Sequence, residues 1–249
     1  MNKLKLLSSE VSFISNKELS LLIDQSKNLK GKYVIVTNTQ SQYLAYKDKK
    51  FAKFHENAYL RISDSMILAY LAKYLGMKEL PNVKLGSKLM LEICSICSEN
   101  NLNIGLYGET NKNILKLKRV LEEKYENIKI PYVYSPPFRE LSDKEKVTII
   151  SEINEMNLDI LFVSLGCPKQ EKWMYENSSQ LTCLTFGVGA AFTFIANPHR
   201  DISPNIHRLG LAWLVRFITN PGKFFNRYFI QGLPFVFLIL ISKFVRLQK

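Results

Sequence analysis

Asp64 closes the run YLRISD, in which a strand-like segment ends in a serine and then a carboxylate, just before a helix-like stretch. A carboxylate at the carboxyl end of a strand can deprotonate a hydroxyl and make it a nucleophile, given hydrogen-bond reach. The same group can instead cap the helix that begins near Met66, a task that needs geometry and no chemistry. Thr37 poses the same choice at the end of YVIVT: a hydroxyl offered to a ligand, or a cap. The richest local signal is SLGCPKQEKWMYEN. Gly166 permits close backbone approach, Pro168 can start a helix, and Lys169 adds positive charge where a helix N-terminus already attracts anions. Gln170 offers both an amide donor and a carbonyl acceptor. A phosphate-bearing ligand suits this corner, and so does a capped surface helix with an ordinary Glu171.

Other reactive side chains point to less. Cys94 and Cys97 form a C-x-x-C inside LMLEICSICSEN, whose apolar periodicity is that of a helix, not of a Gly/Pro-flanked redox turn; they read as core or surface thiols. His199 and His207 have no acidic partner in ligand spacing and H-E-x-x-H is missing, so no protein-built metal site is expected. Gly108-Glu109-Thr110 offers a turn that can cradle an anion at a helix start. With neither G-x-G-x-x-G nor a Walker Gly-Lys-Ser/Thr, the sequence argues against a dinucleotide or ATP site.

These residues are positioned by alternating strand-like and helix-like runs. Residues 33–37, 60–62, 103–107, 128–134, 160–165 and 181–186 are β-rich and almost continuously apolar; helical spacing occupies 16–29, 65–75, 111–125 and 143–156. The order predicts an α/β fold: a Rossmann-like, mostly parallel sheet with helices on both faces. Ligands of such sheets sit at the carboxyl ends of the strands, and Thr37, Asp64, Gly108, Gly166 and Gly187 all fall at or just after one.

With 249 residues, 47% hydrophobic and 22% charged, the chain can bury a sizeable core. Its formal net charge of +12 is concentrated at one end: residues 199–249 hold eight Lys or Arg against one acid. Trp213, Phe217, Phe224, Phe225, Tyr228 and Phe229 interleave with these cations, and the apolar tract 233–241 follows. An α/β domain over 1–198 and a basic, aromatic, helical C-terminal appendage over 199–249 are expected. Pro221-Gly222 divides the appendage into a helix over 209–218 and a second starting near Lys223. Rings at headgroup level with cationic tips on phosphate fit an anionic membrane surface. Nucleic acid would use the same groups but gives the greasy tract no role, so no such partner is expected. Nine apolar residues fall short of the roughly 20 of a spanning helix, so the tract reads as interfacial and peripheral. MNKLKLLSSEVSFIS has no sustained apolar core, which argues against secretion and for a cytoplasmic body. A bare sheet edge or an apolar helix face offers a route to a homo-oligomer.

DILFVSLGCPKQEKW at 159–173 and FGVGAAF at 186–192 resemble the bacterial WecG/TagA/CpsF glycosyltransferases. The Thr37 region, Ser63-Asp64, LGSKLM at 85–90 and GLAWLVRFITNP…NRY at 210–228 extend the resemblance over nearly the whole chain. The resemblance implies transfer of a sugar, commonly N-acetylmannosamine from its UDP donor, onto a sugar linked through diphosphate to a polyprenol such as undecaprenol, in cell-surface polysaccharide biosynthesis. It further implies inversion at the anomeric carbon, no metal or other cofactor, and an appendage that touches the cytoplasmic face of the membrane and helps complete the active site. By the same resemblance Asp64 is the catalytic base, Thr37 a pocket hydroxyl and Gln170 the pocket glutamine, while Arg216 and Arg227, supported by Lys223, face the diphosphate. Gly108, Gly166, Lys169 and Gly187 at the strand ends, together with Thr39, Lys84 and Arg200, complete the expected substrate-binding set.

The sequence departs from the family pattern where the sugar and diphosphate sites are expected. Thr39 replaces an asparagine; Val83 replaces an arginine, for which neighbouring Lys84 substitutes in part. Thr193 replaces an aspartate, Asn197 a glycine, Asp201-Ile202 an Ala-Pro pair and Ala212 a glutamate. These changes keep two alternatives open: another UDP-hexose donor, such as UDP-glucose or UDP-glucuronic acid, or a non-catalytic membrane scaffold of a polysaccharide assembly complex.

Overall fold

The computed structural model describes residues 2–7 and 9–247. Among them, β1 (Asn2–Lys5), β2 (Glu10–Phe13), β3 (Tyr33–Thr37), β4 (Leu60–Ser63), β5 (Asn103–Gly108), β6 (Lys129–Tyr134), β7 (Ile160–Ser164) and β8 (Leu184–Gly187) form one sheet. The strand order is β1-β2-β4-β3-β8-β7-β5-β6, and every pairing is parallel except that of β1 with β2. The fold is therefore the expected α/β class.

Period-two alternation explains how apolar strands serve two layers at once. Val34, Val36, Ile104, Leu106, Ile160 and Phe162 meet the helices Asn16–Asp24, Gly86–Glu99 and Asn111–Lys124 on one face. Their neighbours Tyr33, Ile35, Tyr107, Leu161 and Val163 meet Asp143–Glu155 and Lys169–Asn177 on the other. Cys94 and Cys97 lie in the first layer, buried; desolvation pushes both thiols up, that of Cys97 to about 12. Among the features beyond the expected elements, three shape the β3–β4 side of the sheet. The hairpin β1–β2 extends the sheet past β4, and the helices Thr39–Lys47 and Lys49–Glu56 fill the β3–β4 crossover.

The C-terminal segment breaks where Pro221 predicts. Helix Ala212–Thr219 ends before Asn220, whose side chain accepts the Lys223 N–H at 3.2 Å, and Pro221 opens the next helix, where its missing N–H costs nothing. That second helix is longer than its composition suggests. Pro221–Phe225, a π-helical stretch Asn226–Gly232 and Leu233–Leu247 follow one another directly. Gln231 and Gly232 interrupt the apolar run but not the helix, because the π turn absorbs them. The 22 residues Pro221–Ser242 of this helix, whose most apolar 18-residue window has mean hydropathy 1.6, are long and apolar enough by length and composition to cross a membrane, where the nine-residue tract alone is not. One of its faces is committed to the protein: Phe235 and Ile239 are buried with Val11, Phe13, Leu68 and Leu71. Ile230, Phe237 and Ile241, seven and four positions apart, are exposed along another.

Candidate active site

The carboxyl ends of β3, β4, β5, β7 and β8 open into a cleft of about 1140 Å³, whose far wall is built by the C-terminal segment. Asp64 follows β4 directly; its N–H donates to the Thr37 carbonyl at 3.2 Å and extends the β3–β4 ladder by a residue. The cap of helix Met66–Tyr74 is Ser65, whose hydroxyl accepts the Leu68 N–H. Asp64 is therefore not occupied as a cap and lines the cleft. Half-buried there, its carboxyl is pushed up by desolvation and drawn back towards ionisation first by Arg227, then by Arg216.

Opposite Asp64, the turn after β7 presents Gly166 and Lys169 at the rim and Gln170 in the wall. Gln170 is buried, with both ends of its amide engaged. Its Oε1 accepts the Gly189 N–H at 3.1 Å, and its Nε2 donates to Glu171 Oε1 at 3.1 Å. It ties the loop after β8 to the helix Lys169–Asn177. Glu171, 1% exposed, is no ordinary surface residue: its Oε2 is buried without a hydrogen-bond partner, and burial pushes its carboxyl up. Gln170, Glu171 and Met174 share the inner face of this helix.

Several expected substrate contacts lie beneath the cleft instead of on its wall. Thr37 is fully buried; its hydroxyl sits 2.7 Å from Ser41 Oγ and accepts from Gln42 Nε2 at 3.0 Å, while Asn38 caps the helix Thr39–Lys47. Gly108, with φ +118°, lets β5 cross the end of β7: a Cβ there would stand 2.3 Å from the Ser164 carbonyl oxygen. The anion cradle expected after it is closed, because the Glu109 N–H donates to that same oxygen at 2.9 Å. Glu109 also puts a carboxylate there, held by Thr193 Oγ1 at 2.8 Å and Asn113 Nδ2 at 3.0 Å. Gly187 leaves room for Met174, whose Cε would be 2.5 Å from an added Cβ.

Lys84 is not brought to the cleft at all. Its buried amine donates to Asn16 Oδ1 at 2.5 Å and pairs with Glu92 of the helix Gly86–Glu99. Arg200 ends the short helical turn Pro198–Arg200, and its side chain lies outside the described residues. Thr39 does line the cleft, but it also forms the seat of the C-terminal helix. A Cβ on Gly232 would stand 3.2 Å from Thr39 Oγ1, and the next residue along, Gln40, donates from Nε2 to Gln231 Oε1 at 2.8 Å.

The cations of the C-terminal segment reach the cleft. Arg216, Lys223 and Arg227 all line it, and among the described residues none forms an ion pair within 4 Å. Their neighbours are rings instead: Arg216 lies 4.9 Å from the Phe194 centroid, Lys223 5.7 Å from Phe224 and Arg227 5.6 Å from Tyr228. Arg227 lowers the carboxyl of Glu171 as well as that of Asp64, so its charge is felt on both walls. Unpaired guanidinium groups above an ionisable carboxylate can hold an anionic leaving group while the carboxylate takes a proton. Sequence reasoning also missed Ser87 and His207, which line the same cleft; polar residues this far apart converge only through the fold. Among the described residues, no group of three or more His, Cys, Asp or Glu side chains is disposed to hold a metal ion.

The sequence model of the Glycosyl transferase WecG/TagA/CpsF family matches residues 4–249. The chain is also similar to the N-acetylglucosaminyldiphosphoundecaprenol N-acetyl-beta-D-mannosaminyltransferase of Staphylococcus aureus (strain NCTC 8325 / PS 47) and to its namesake in strain COL. Each is 26% identical over 165 residues, which cover 66% of this chain and 61% of the relative. The similarity thus spans about three-fifths of those relatives' length.

Proposed function

The chain belongs to the WecG/TagA/CpsF glycosyltransferase family, and on that premise we propose that it transfers a sugar from a UDP donor to a polyprenyl-diphosphate-linked sugar, with inversion. N-acetylmannosamine is the donor sugar suggested by the names of the S. aureus relatives. One observation carries the reading: a half-buried carboxylate that lines the cleft without capping its helix, under the influence of two guanidinium groups that have no acidic partner among the described residues. The acceptor hydroxyl attacks the anomeric carbon from the face opposite the leaving UDP, and Asp64 takes the hydroxyl proton as the new bond forms. Arg216, Lys223 and Arg227 offset the charge that develops on the departing diphosphate.

The acceptor is a lipid, and the surface accords with one. Ile218, Phe225, Ile230, Phe237 and Ile241 are all at least half exposed on the segment that carries the three cations. We take this segment to lie on the cytoplasmic face of the membrane, aromatic and aliphatic groups among the lipid chains and cations at the phosphates. The test is transfer from UDP-N-acetylmannosamine to a soluble lipid-diphosphate-N-acetylglucosamine analogue, read as product mass and anomeric configuration. Asp64→Asn should fold normally and lose about 10²–10⁴-fold in turnover. Unchanged turnover in that variant would remove Asp64 as the base, and a screen of UDP-sugars without any transfer would leave the scaffold alternative standing.

A further inference from the structure

A second group of polar side chains lines the cleft near Asp64 and has no part in the proton transfer described above. His207 is 8% exposed, and its Nε2 is buried without a hydrogen-bond partner. The nearest acid is Asp201, whose Oδ1 stands 3.6 Å away, too far for a hydrogen bond. Asp201 is fixed but not saturated: Oδ1 accepts the Ile202 N–H at 2.9 Å, Oδ2 accepts the Ser87 hydroxyl at 3.4 Å, and each oxygen keeps a further lone pair. The imidazole is kept neutral, mainly by burial and next by Arg216, and the adjoining carboxylate favours the tautomer with its proton on Nε2.

We infer that Asp201 and His207 together read one hydroxyl of a pyranose ring in the substrate, on the same wall as Asp64; the inference rests on the glycosyl-transfer reading. Nε2 has no free surface in this conformation, so the imidazole turns into the cleft for a group that is itself both donor and acceptor to meet His207 and Asp201 together. A sugar hydroxyl donates to Asp201 and accepts from His207 at the same time, and no cation or anion satisfies both. An anionic group, including the carboxylate of a uronic acid, meets the charge of Asp201. Distance to the reacting centre is suitable: Ser87, which holds Asp201, follows Gly86, where an added Cβ would lie 3.6 Å from Asp64 Oδ2. Arg216 also influences both Asp64 and His207, so the two clusters adjoin. The helix that carries His207, Pro204–Arg208, is anchored to the body by the Tyr70 hydroxyl, which donates to the Arg208 carbonyl at 2.7 Å. The backbone that carries His207 is therefore held in place before substrate arrives.

The hydroxyl belongs either to the donor sugar or to the acceptor sugar, and steady-state kinetics separates the two. In the full-length protein Asp201→Ala should raise the KM of one substrate about tenfold or more, as expected for a hydrogen bond to a charged group, with a smaller effect on kcat. Affinity for UDP alone, measured by calorimetry, should not change. Deoxy analogues of UDP-N-acetylmannosamine and of the acceptor then name the hydroxyl: its removal should cost the parent protein that same factor and cost Asp201→Ala nothing more. His207→Gln, which keeps a side-chain donor, should retain more of the affinity than His207→Ala. Unchanged KM for both substrates, an equal penalty for every deoxy analogue in parent and variant, or loss of UDP binding along with the sugar would each overturn the assignment. Absence of transfer by the parent protein with every UDP-sugar tried would instead defeat the underlying glycosyl-transfer reading.

Discussion

Phe235 and Phe237 stand two residues apart on one helix, 0% and 61% exposed, and this contrast separates two jobs of the C-terminal segment. Phe235 is buried among Phe13, Leu68 and Leu71, so Phe235→Ala removes a packed ring and leaves a cavity, at a cost of about 3–5 kcal/mol. At about 1.4 kcal/mol per factor of ten, the undocked state of the helix becomes about two to three and a half orders of magnitude more populated. Phe237→Ala changes stability by about 0.5 kcal/mol at most, but it removes a ring worth about 1.5–3 kcal/mol when inserted among lipid chains, or about 10–100-fold in partitioning. Hydrogen exchange over residues 221–242, co-sedimentation with anionic vesicles and transfer to a water-soluble acceptor give three readouts for each variant. Phe235→Ala should exchange faster and transfer more slowly, because Arg227 is no longer held near Asp64. Phe237→Ala should exchange like the parent, transfer to the soluble acceptor at the parent rate and bind vesicles weakly. Faster exchange with an unchanged transfer rate in Phe235→Ala would refute the claim that the docked segment completes the site.

Three further substitutions test the cleft and the strand ends beneath it. Glu171 has its pKa raised by burial, so the folded protein holds that proton more tightly than the unfolded chain, and stability is lost as pH rises through the folded pKa. Glu171→Gln removes that loss: its urea midpoint should exceed the parent's at neutral pH, and the difference should vanish below the ordinary carboxylate range. At Gly108 the combination of φ +118° and a backbone oxygen 2.3 Å from an added Cβ leaves no relaxation open. Gly108→Ala should cost about 2–4 kcal/mol, or about 4–16 °C in melting temperature, whereas Gly166→Ala, with nothing within 4 Å of its Cβ position, should cost about 1 kcal/mol.

The sheet was legible because its strands are apolar on both faces, a pattern that local sequence displays openly, as at Ile160–Ser164. The hairpin β1–β2 was not, since four residues give too little alternation to distinguish a strand from a loop. At the site, strand-end position was a sound guide to backbone and a weaker one to side chains. Asp64 and Ser65 are adjacent candidates for one cap, and only the structure decides that Ser65 takes it and Asp64 is released. Thr37 ends a strand as expected, but Ser41 and Gln42 of the following helix fold back onto its hydroxyl. Lys84 looked like a free cation because Asn16, 68 positions away, is invisible to any local window.

The helix Pro221–Ser242 was the hardest to read for a different physical reason. A helix apolar on one face announces which side is buried, but here both faces are apolar, so periodicity cannot say which one packs on the protein and which stays exposed. The decision rests on two small contacts midway along it: Gly232, without a side chain, seats against Thr39, and Gln231 joins Gln40. They fix the rotation of the helix, and that rotation sends Phe235 and Ile239 inward and Phe237 and Ile241 outward. The same rotation turns Arg227, one π turn earlier, towards Asp64. On the proposed function, membrane attachment and catalysis depend on different faces of one helix, whose register is set by Thr39 and Gln40 at the start of the helix after β3. A bulkier residue at Gly232 would disturb both together, whereas changes on either apolar face alone would not.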